Sequence, residues 1–484
     1  MQQRLEDWLS RLEKPYLPIL PSSAAALRRL AGPEGNNLGV RDLHPVIARD
    51  PALSMNILRA ANGHKHRHLD AQTTTPDQAL LMLGQSRAME LAKGWPVLDS
   101  ALSASAAEKY RVALANAYHT ARQAEHWAER RKDILPGEVY AAALARYAGE
   151  FALRADPEGQ ALMETMDELR KRAGIRRREA EYVTLGFAAM DLAMGLNEAW
   201  RIPTLMMEYV LPENIMSRRT LGIRLGLELT SIGEYGWETT AMERLLEVLA
   251  TYLATDTESA AETIPPISRQ AAEEHPLQNP PTWLPLTRRQ PQPEAPERTR
   301  GMCLMPRHDV FQRLIDELEQ DNLDRIRNEL ELRHERVDTY APLLTLAARA
   351  VHHGLGMNRT IFFRINKNAD TLRPYLALGA ETDPILLTTA LPAEGQWLMN
   401  HLPPDRKPAR VTAGKPSPLR HKLKALGGDL FQADDYLIQA VRGPKGLVGV
   451  LFADRLGNEC AMDDGAREAF HRVCVALEEA LGNQ

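Results

Sequence analysis

The chain is poor in cysteine. Only Cys303, Cys460 and Cys474 occur in 484 residues, an odd number with no CxxC or other zinc-type spacing. That excludes a disulfide framework and a thiolate zinc site. Long apolar runs are also missing: no stretch approaches the roughly 20 residues a membrane helix needs. The N-terminal MQQRLEDWLSRLEKPYL alternates charge and hydrophobe, unlike a signal peptide. Nor does either sign of charge dominate, since 59 basic against 64 acidic residues leave a net charge of -5. A general nucleic-acid binder is therefore not expected. What remains is a protein expected in the cytoplasm, with no membrane contact and no direct nucleic-acid contact. Its length predicts two or three domains.

From residue 1 to 264 the sequence carries helical periodicity almost throughout. Residues 46–63, VIARDPALSMNILRAANG, read as two short helices hinged at Asp50-Pro51. Asp50 is suited to an N-cap and Pro51 to the first turn. Leu53, Ile57, Ala60 and Ala61 fall on one face, and Asn62-Gly63 supplies a C-cap. TTTPDQALLMLGQSRAMELA follows, with Thr75 as N-cap, Pro76 in the first turn and an apolar face through Ala79, Met82 and Leu83. Further helices are expected through NAYHTARQAEHWAERR, GEVYAAALARYAGEFAL, MDELRKRAG, LGFAAMDLAMGLNEAW, RRTLGIRLGLELTSIG and ERLLEVLATYLA. The fold expected for residues 1–264 is all-helical.

Residues 265–300 are proline-rich, polar and without hydrophobic period, so a semi-extended linker is expected there. Trp283 and Leu284 stand out within it as a segment able to dock on a neighbour, with plain linker as the preferred expectation. Residues 301–334 read as a connecting helical segment. Residues 335–484 change period: RTIFFRI and RPYLALG have strand composition, and DYLIQAVRGPKGLVGVLFADR reads as a hairpin. The closing DDGAREAFHRVCVALEEAL places Ala466, Phe470, Val473, Leu477 and Leu481 on one helical face. This section is expected to be α+β with an antiparallel sheet. The terminal stripe either packs on its own sheet or seeks a second copy, so homodimerisation is a further expectation.

LPILP at 17–21, VIARDPALSMNILRAANG and TTTPDQALLMLGQSR together resemble the signature blocks of HDOD domains, the helical output domains related to HD and HD-GYP phosphohydrolases. The resemblance covers about residues 12–260. MNRTIFFRINKNADTLRPYLALGA and GLVGVLFADRLGN are similar to GAF domains. The related enzymes hold metal with a His-Asp doublet plus further His or Asp residues, which together activate water. Alignment with them places the doublet at Arg146-Tyr147 and a further expected histidine at Ala188-Ala189. Arginine repels a metal and neutral tyrosine is a poor ligand. His119 corresponds to a first ligand, and no His-Asp dipeptide occurs in residues 1–264.

The other candidates read as structure. His64, His66 and His68 alternate in a basic loop, His352-His353 ends a helix, and residues 170–181 form a solvated basic surface. Gly443–Gly449 lacks the GK[ST] of a phosphate loop, no NKFDE motif is present, and Cys460 has no adjacent base. The sequence therefore implies no catalytic residue, no metal and no cofactor. The expected function is non-catalytic signal transduction through protein partners, with an HDOD interaction platform and a GAF-like sensory or dimerisation module that takes a small ligand. The alternatives are a binder of a nucleotide second messenger and a divergent HD-type phosphohydrolase.

Overall fold

A computed structural model describes residues 2–482 apart from 31–39, 64–72, 174–176, 203–204, 206–217, 234–239, 280, 282, 285–305, 320–339, 367–370, 380–388, 390, 393–399, 404–406, 413–416, 432, 434, 445 and 456–461. The chain divides into two compact units, with Met1–Val210 and Ser217–Glu297 in the first and Arg298–Gln484 in the second.

The first unit is helical among its described residues: α1 Gln2–Leu12, α2 Pro21–Leu30, α3 Val40–Ala48, α4 Pro51–Gly63, α5 Pro76–Leu83, α6 Gln85–Ala92, α7 Leu98–Ala101, α8 Ala104–Arg130, α9 Pro136–Ala145, α10 Ala148–Ala155, α11 Pro157–Ala173, α12 Arg177–Thr184, α13 Ala189–Ala199, α14 Arg218–Ile232, α15 Thr240–Leu253, α16 Thr257–Glu262 and α17 Ile264–Glu274. Its backbone caps follow local rules. Thr75 accepts from the Gln78 amide at 3.1 Å ahead of Pro76, and Ser103 accepts from Ala106 at 3.3 Å to start α8. Helix α8 is the axis of the unit. Its alanines at 113, 117, 121, 124 and 128 are buried, and small side chains let neighbours approach closely. Gly226 on α14 is part of that approach, because a Cβ there would lie 2.8 Å from the Thr120 carbonyl oxygen.

Two expectations for this unit are corrected. The helix expected across residues 137–153 is broken at Arg146-Tyr147, where Tyr147 leaves helical geometry at φ -91, ψ 1. Helices α9 and α10 both touch α8, but α9 continues onto α14 and α10 onto α11 and α13, so tertiary packing overrides a continuous helical pattern. The linker expected from residue 265 does not begin there. Pro265 and Pro266 sit in the first turn of α17, where proline is tolerated. Ile264, Ile267 and Ala271 are buried at helical spacing behind them, as is Trp283 further on.

The second unit contains α18 His308–Glu319, α19 Ala341–Arg349 running into a π-helical turn Ala350–Gly354, β1 Arg359–Asn366, β2 Thr371–Leu378, β3 Leu391–Pro392, β4 Ala409–Thr412, α20 Pro418–Gly427, β5 Asp435–Gly443, β6 Gly446–Asp454 and α21 Asp464–Gly482. The strands form one antiparallel sheet in the order β3-β2-β1-β6-β5-β4. The hairpin read from the sequence is β5–β6, closing at the Gly443–Gly446 pair with Gly446 at φ +104. The short strands β3 and β4 lie in a stretch whose sequence carries no clear period. Across the sheet centre Arg359 and Asp454 are paired neighbours and form a buried ion pair. The Arg359 Nε lies 3.0 Å and 3.1 Å from the two carboxylate oxygens, and Nη2 also donates to the Leu430 carbonyl at 2.9 Å.

The 301–334 segment is also corrected in part. Val310, Phe311, Leu314, Ile315 and Leu318 of α18 enter the core of the second unit, so residues 308–319 belong to it instead of connecting to it. Phe470, Val473, Leu477 and Leu481 of α21 are buried in the same core, and Ala466 packs against it. That stripe is covered by its own unit, so the self-association argument built on it loses its basis.

Candidate functional site

The three sequence blocks that carry the HDOD resemblance meet around α4. Asp50 is fully buried and accepts from the Leu53 amide at 3.1 Å as an N-cap. Its other oxygen accepts from the Leu20 amide at 2.8 Å. Burial pushes the Asp50 carboxyl upward, and these amides and the Ser23 hydroxyl oppose that shift. One turn on, Asn56 mimics a strand neighbour, accepting from Leu17 N at 3.1 Å and donating to Leu17 O at 2.9 Å. Arg59 donates to the carbonyls of Glu13, Lys14 and Pro15 while lying over the rings of Tyr16 and Trp200. Asn62 accepts from the Thr73 amide at 2.9 Å. Leu53 and Ile57 are buried, as their spacing predicts. The hinge stretch is thus a polar clamp on segments 13–20 and 73, and it presents no reactive group.

The residues aligned with the catalytic shell lie on α8, at the α9–α10 junction and at the start of α13, and α14 and α17 add hydroxyls around the first of them. His119 is fully buried. Its Nδ1 is 2.9 Å from Thr230 Oγ1 and its Nε2 is 2.9 Å from Ser268 Oγ. Thr120 Oγ1 lies 2.9 Å from both Thr230 Oγ1 and the Tyr147 hydroxyl. Trp283 stacks on the His119 ring with centroids 4.0 Å apart and planes 3° from parallel, and its Nε1 donates to Asn116 Oδ1 at 2.8 Å.

A proton inventory gives this chain a direction. Thr230 donates to the Gly226 carbonyl at 3.1 Å, so its oxygen acts as acceptor toward the other partners. Thr120 then donates to Thr230 and accepts from Tyr147. His119 donates from Nδ1 to Thr230, which leaves Nε2 to accept from Ser268. Burial alone lowers the His119 pKa to about 3, so the ring is neutral.

This arrangement has little chemical capacity. The lone pair that would bind a metal is taken up by the Ser268 hydroxyl. The Ser268–His119 pair has the spacing of a nucleophile and its base. Yet both are fully buried, Trp283 covers the ring, and an imidazole this weakly basic is a poor general base at neutral pH. Of the residues aligned with the doublet, Tyr147 joins the network, while Arg146 is half-buried with its Nε unpartnered. Ala188 and Ala189 lie at the start of α13, where their amides donate to Asp191 at 3.3 Å and Glu181 at 3.0 Å. Among the described residues no group of three or more His, Cys, Asp or Glu could hold a metal.

Sequence reasoning passed over Thr120, Thr230, Ser268 and Asn116, since isolated hydroxyls and amides carry no spacing signal. Trp283 did carry one, as a lone large aromatic in a polar stretch, and it docks instead of serving as linker. His352 is buried in the π-helical turn with its ring 4.7 Å from that of His353. His64, His66, His68 and Cys460 lie outside the described residues, as do the side chains of 170–179. Cys474 is buried and its thiol is pushed well up by burial. No described helix is long and apolar enough to cross a membrane.

The HDOD domain family matches residues 17–214, which span the clamp, α8 and the doublet. No curated protein matches. Among solved structures, the chain is similar to the MmoQ response regulator of Methylococcus capsulatus strain Bath at 19% identity, covering 52% of this chain and 99% of that one, with a TM-score of 0.40. It is also similar to a virulence factor of Campylobacter jejuni subsp. jejuni at 16% identity, covering 56% and 99%, with a TM-score of 0.43.

Proposed function

Because the chain carries an HDOD domain over residues 17–214, we propose that it is a non-catalytic bacterial signal-transduction protein of the cytoplasm. The helical unit serves as an interaction platform for protein partners. The C-terminal unit is a GAF-like module that takes a small ligand or joins two copies. The strand order, with the first and last strands side by side at the centre, and helices from both ends of the segment in one core support that second assignment.

One observation carries the non-catalytic reading. Of the positions aligned with a water-activating metal shell, His119 and Tyr147 are tied into a closed network of hydroxyls around one neutral imidazole, with both ring nitrogens engaged, and Arg146, Ala188 and Ala189 offer no metal ligand. Metal-assisted hydrolysis needs several fixed N or O ligands with one position open to water. The test is metal analysis of the purified protein, followed by turnover of nucleotides, phosphate esters and cyclic dinucleotides with added manganese, iron or magnesium. We expect no stoichiometric metal and no hydrolysis above background. Tight metal together with turnover abolished by His119→Ala overturns the proposal in favour of a divergent phosphohydrolase.

A further inference from the structure

Residues 263–284 make a layered contact with α8 that the platform reading does not use. At its base, Trp127 Nε1 donates to Thr263 Oγ1 and Gln123 Nε2 donates to the Ile264 carbonyl, each at 2.9 Å. Helix α17 then runs antiparallel to α8, placing Ser268 on His119 and Ala271 against Ala115 and Tyr118. His275 Nε2 donates to the Arg49 carbonyl at 2.7 Å, and Glu274 pairs with Arg49 at 2.9 Å. The chain then doubles back to set Trp283 on His119 and Asn116. Gly233, at the end of α14, makes room for this return, because a Cβ there would come 2.7 Å from the Trp283 Cα.

Two features separate this strap from the rest of the unit. Beyond the buried Ile264 and Ile267 near its base, its apolar contacts form a small cluster of Ala115, Tyr118, Ala271 and Trp283, distinct from the main core that holds α4, α8 and α9. Its polar contacts beyond the base reach a few side chains and a single backbone carbonyl. A segment held by a satellite cluster opens at lower free energy than the main core.

We infer that α17 and Trp283 form a detachable latch, occupying in cis the α8 face at Asn116 and His119 and uncovering it on release. This goes beyond the platform reading and stands or falls separately from it.

The experiment is hydrogen exchange resolved by mass spectrometry on the full chain at neutral pH, for wild type, Trp283→Ala and Gly233→Ala. The second variant leaves the strap sequence intact, places its new methyl against Trp283 and favours helix at α14. We expect the α17 amides to exchange at least tenfold faster in both variants, on the order implied by losing a buried tryptophan. The α9 amides should stay unchanged. Uniform acceleration of α17 and α9 together in the variants, or no change in α17 in either, overturns the latch and makes the strap an integral part of the core. Metal binding or hydrolysis by the wild type bears on the proposed function alone.

Discussion

Acidification is expected to loosen the helical unit through His119. The folded protein holds this imidazole neutral with a pKa of about 3, against 6.5 in an unfolded chain. The unfolded state therefore takes up a proton below about pH 6.5 that the folded state refuses until about pH 3. The stabilisation is fully present above pH 6.5 and is lost as pH falls, at about 1.4 kcal/mol per unit. At pH 5 the cost is about 2 kcal/mol, a sizeable share of a typical domain's stability. His275 adds a similar term over a narrower window, since burial lowers it to about 4 while its bond to Arg49 O resists. Asp50, with its pKa raised by burial, acts in the opposite direction, adding stability as pH falls through its raised folded pKa. Comparison with a His119→Gln variant removes both contributions from the argument, because the two proteins share them. The assay is urea denaturation of each protein from pH 8 to pH 5, giving unfolding free energy against pH. Wild type should steepen relative to the variant by about one proton between pH 6.5 and pH 5. Parallel curves refute the buried, neutral imidazole and with it the assigned network.

Three other outcomes follow from the same geometry. Leu53→Asp should cost several kcal/mol, about the loss of a buried aliphatic side chain plus an unpaired charge, and a parent-like melting temperature would contradict the burial of that face. Asn56→Ala should cost about 1–3 kcal/mol, because it strands the Leu17 amide and carbonyl, and hydrogen exchange at Leu17 should rise with it; an unchanged Leu17 shows the clamp is not made there. In the second unit Arg359→Ala should cost about 3–5 kcal/mol by leaving Asp454 charged and buried, and a double variant with Asp454→Ala should recover part of that loss; a neutral single variant contradicts the buried pair.

The legible features were those set by neighbours in sequence. The caps at Asp50 and Thr75, the buried face through Leu53 and Ile57, and the β5–β6 hairpin all follow from spacing and turn chemistry within a few residues. The terminal stripe on α21 was legible as apolar, but its partner was not, since periodicity names a buried face without naming what covers it. The proline-rich stretch misled because Pro265-Pro266 reads as a break and yet falls where a first helical turn accepts it.

By itself the sequence determined that the first unit is helical, that the second carries an antiparallel sheet, and that the His-Asp doublet is gone. Each is a local property, fixed by residue type and short-range spacing. Only the tertiary structure decided what stands in the doublet's place. Thr230 and Ser268 lie 111 and 149 residues beyond His119 in chain order, and Trp283 arrives from a segment with no helical signal. Their meeting depends on how closely α14 and the strap approach α8, a distance set by packing volume at Gly226 and Gly233. No local pattern encodes that distance.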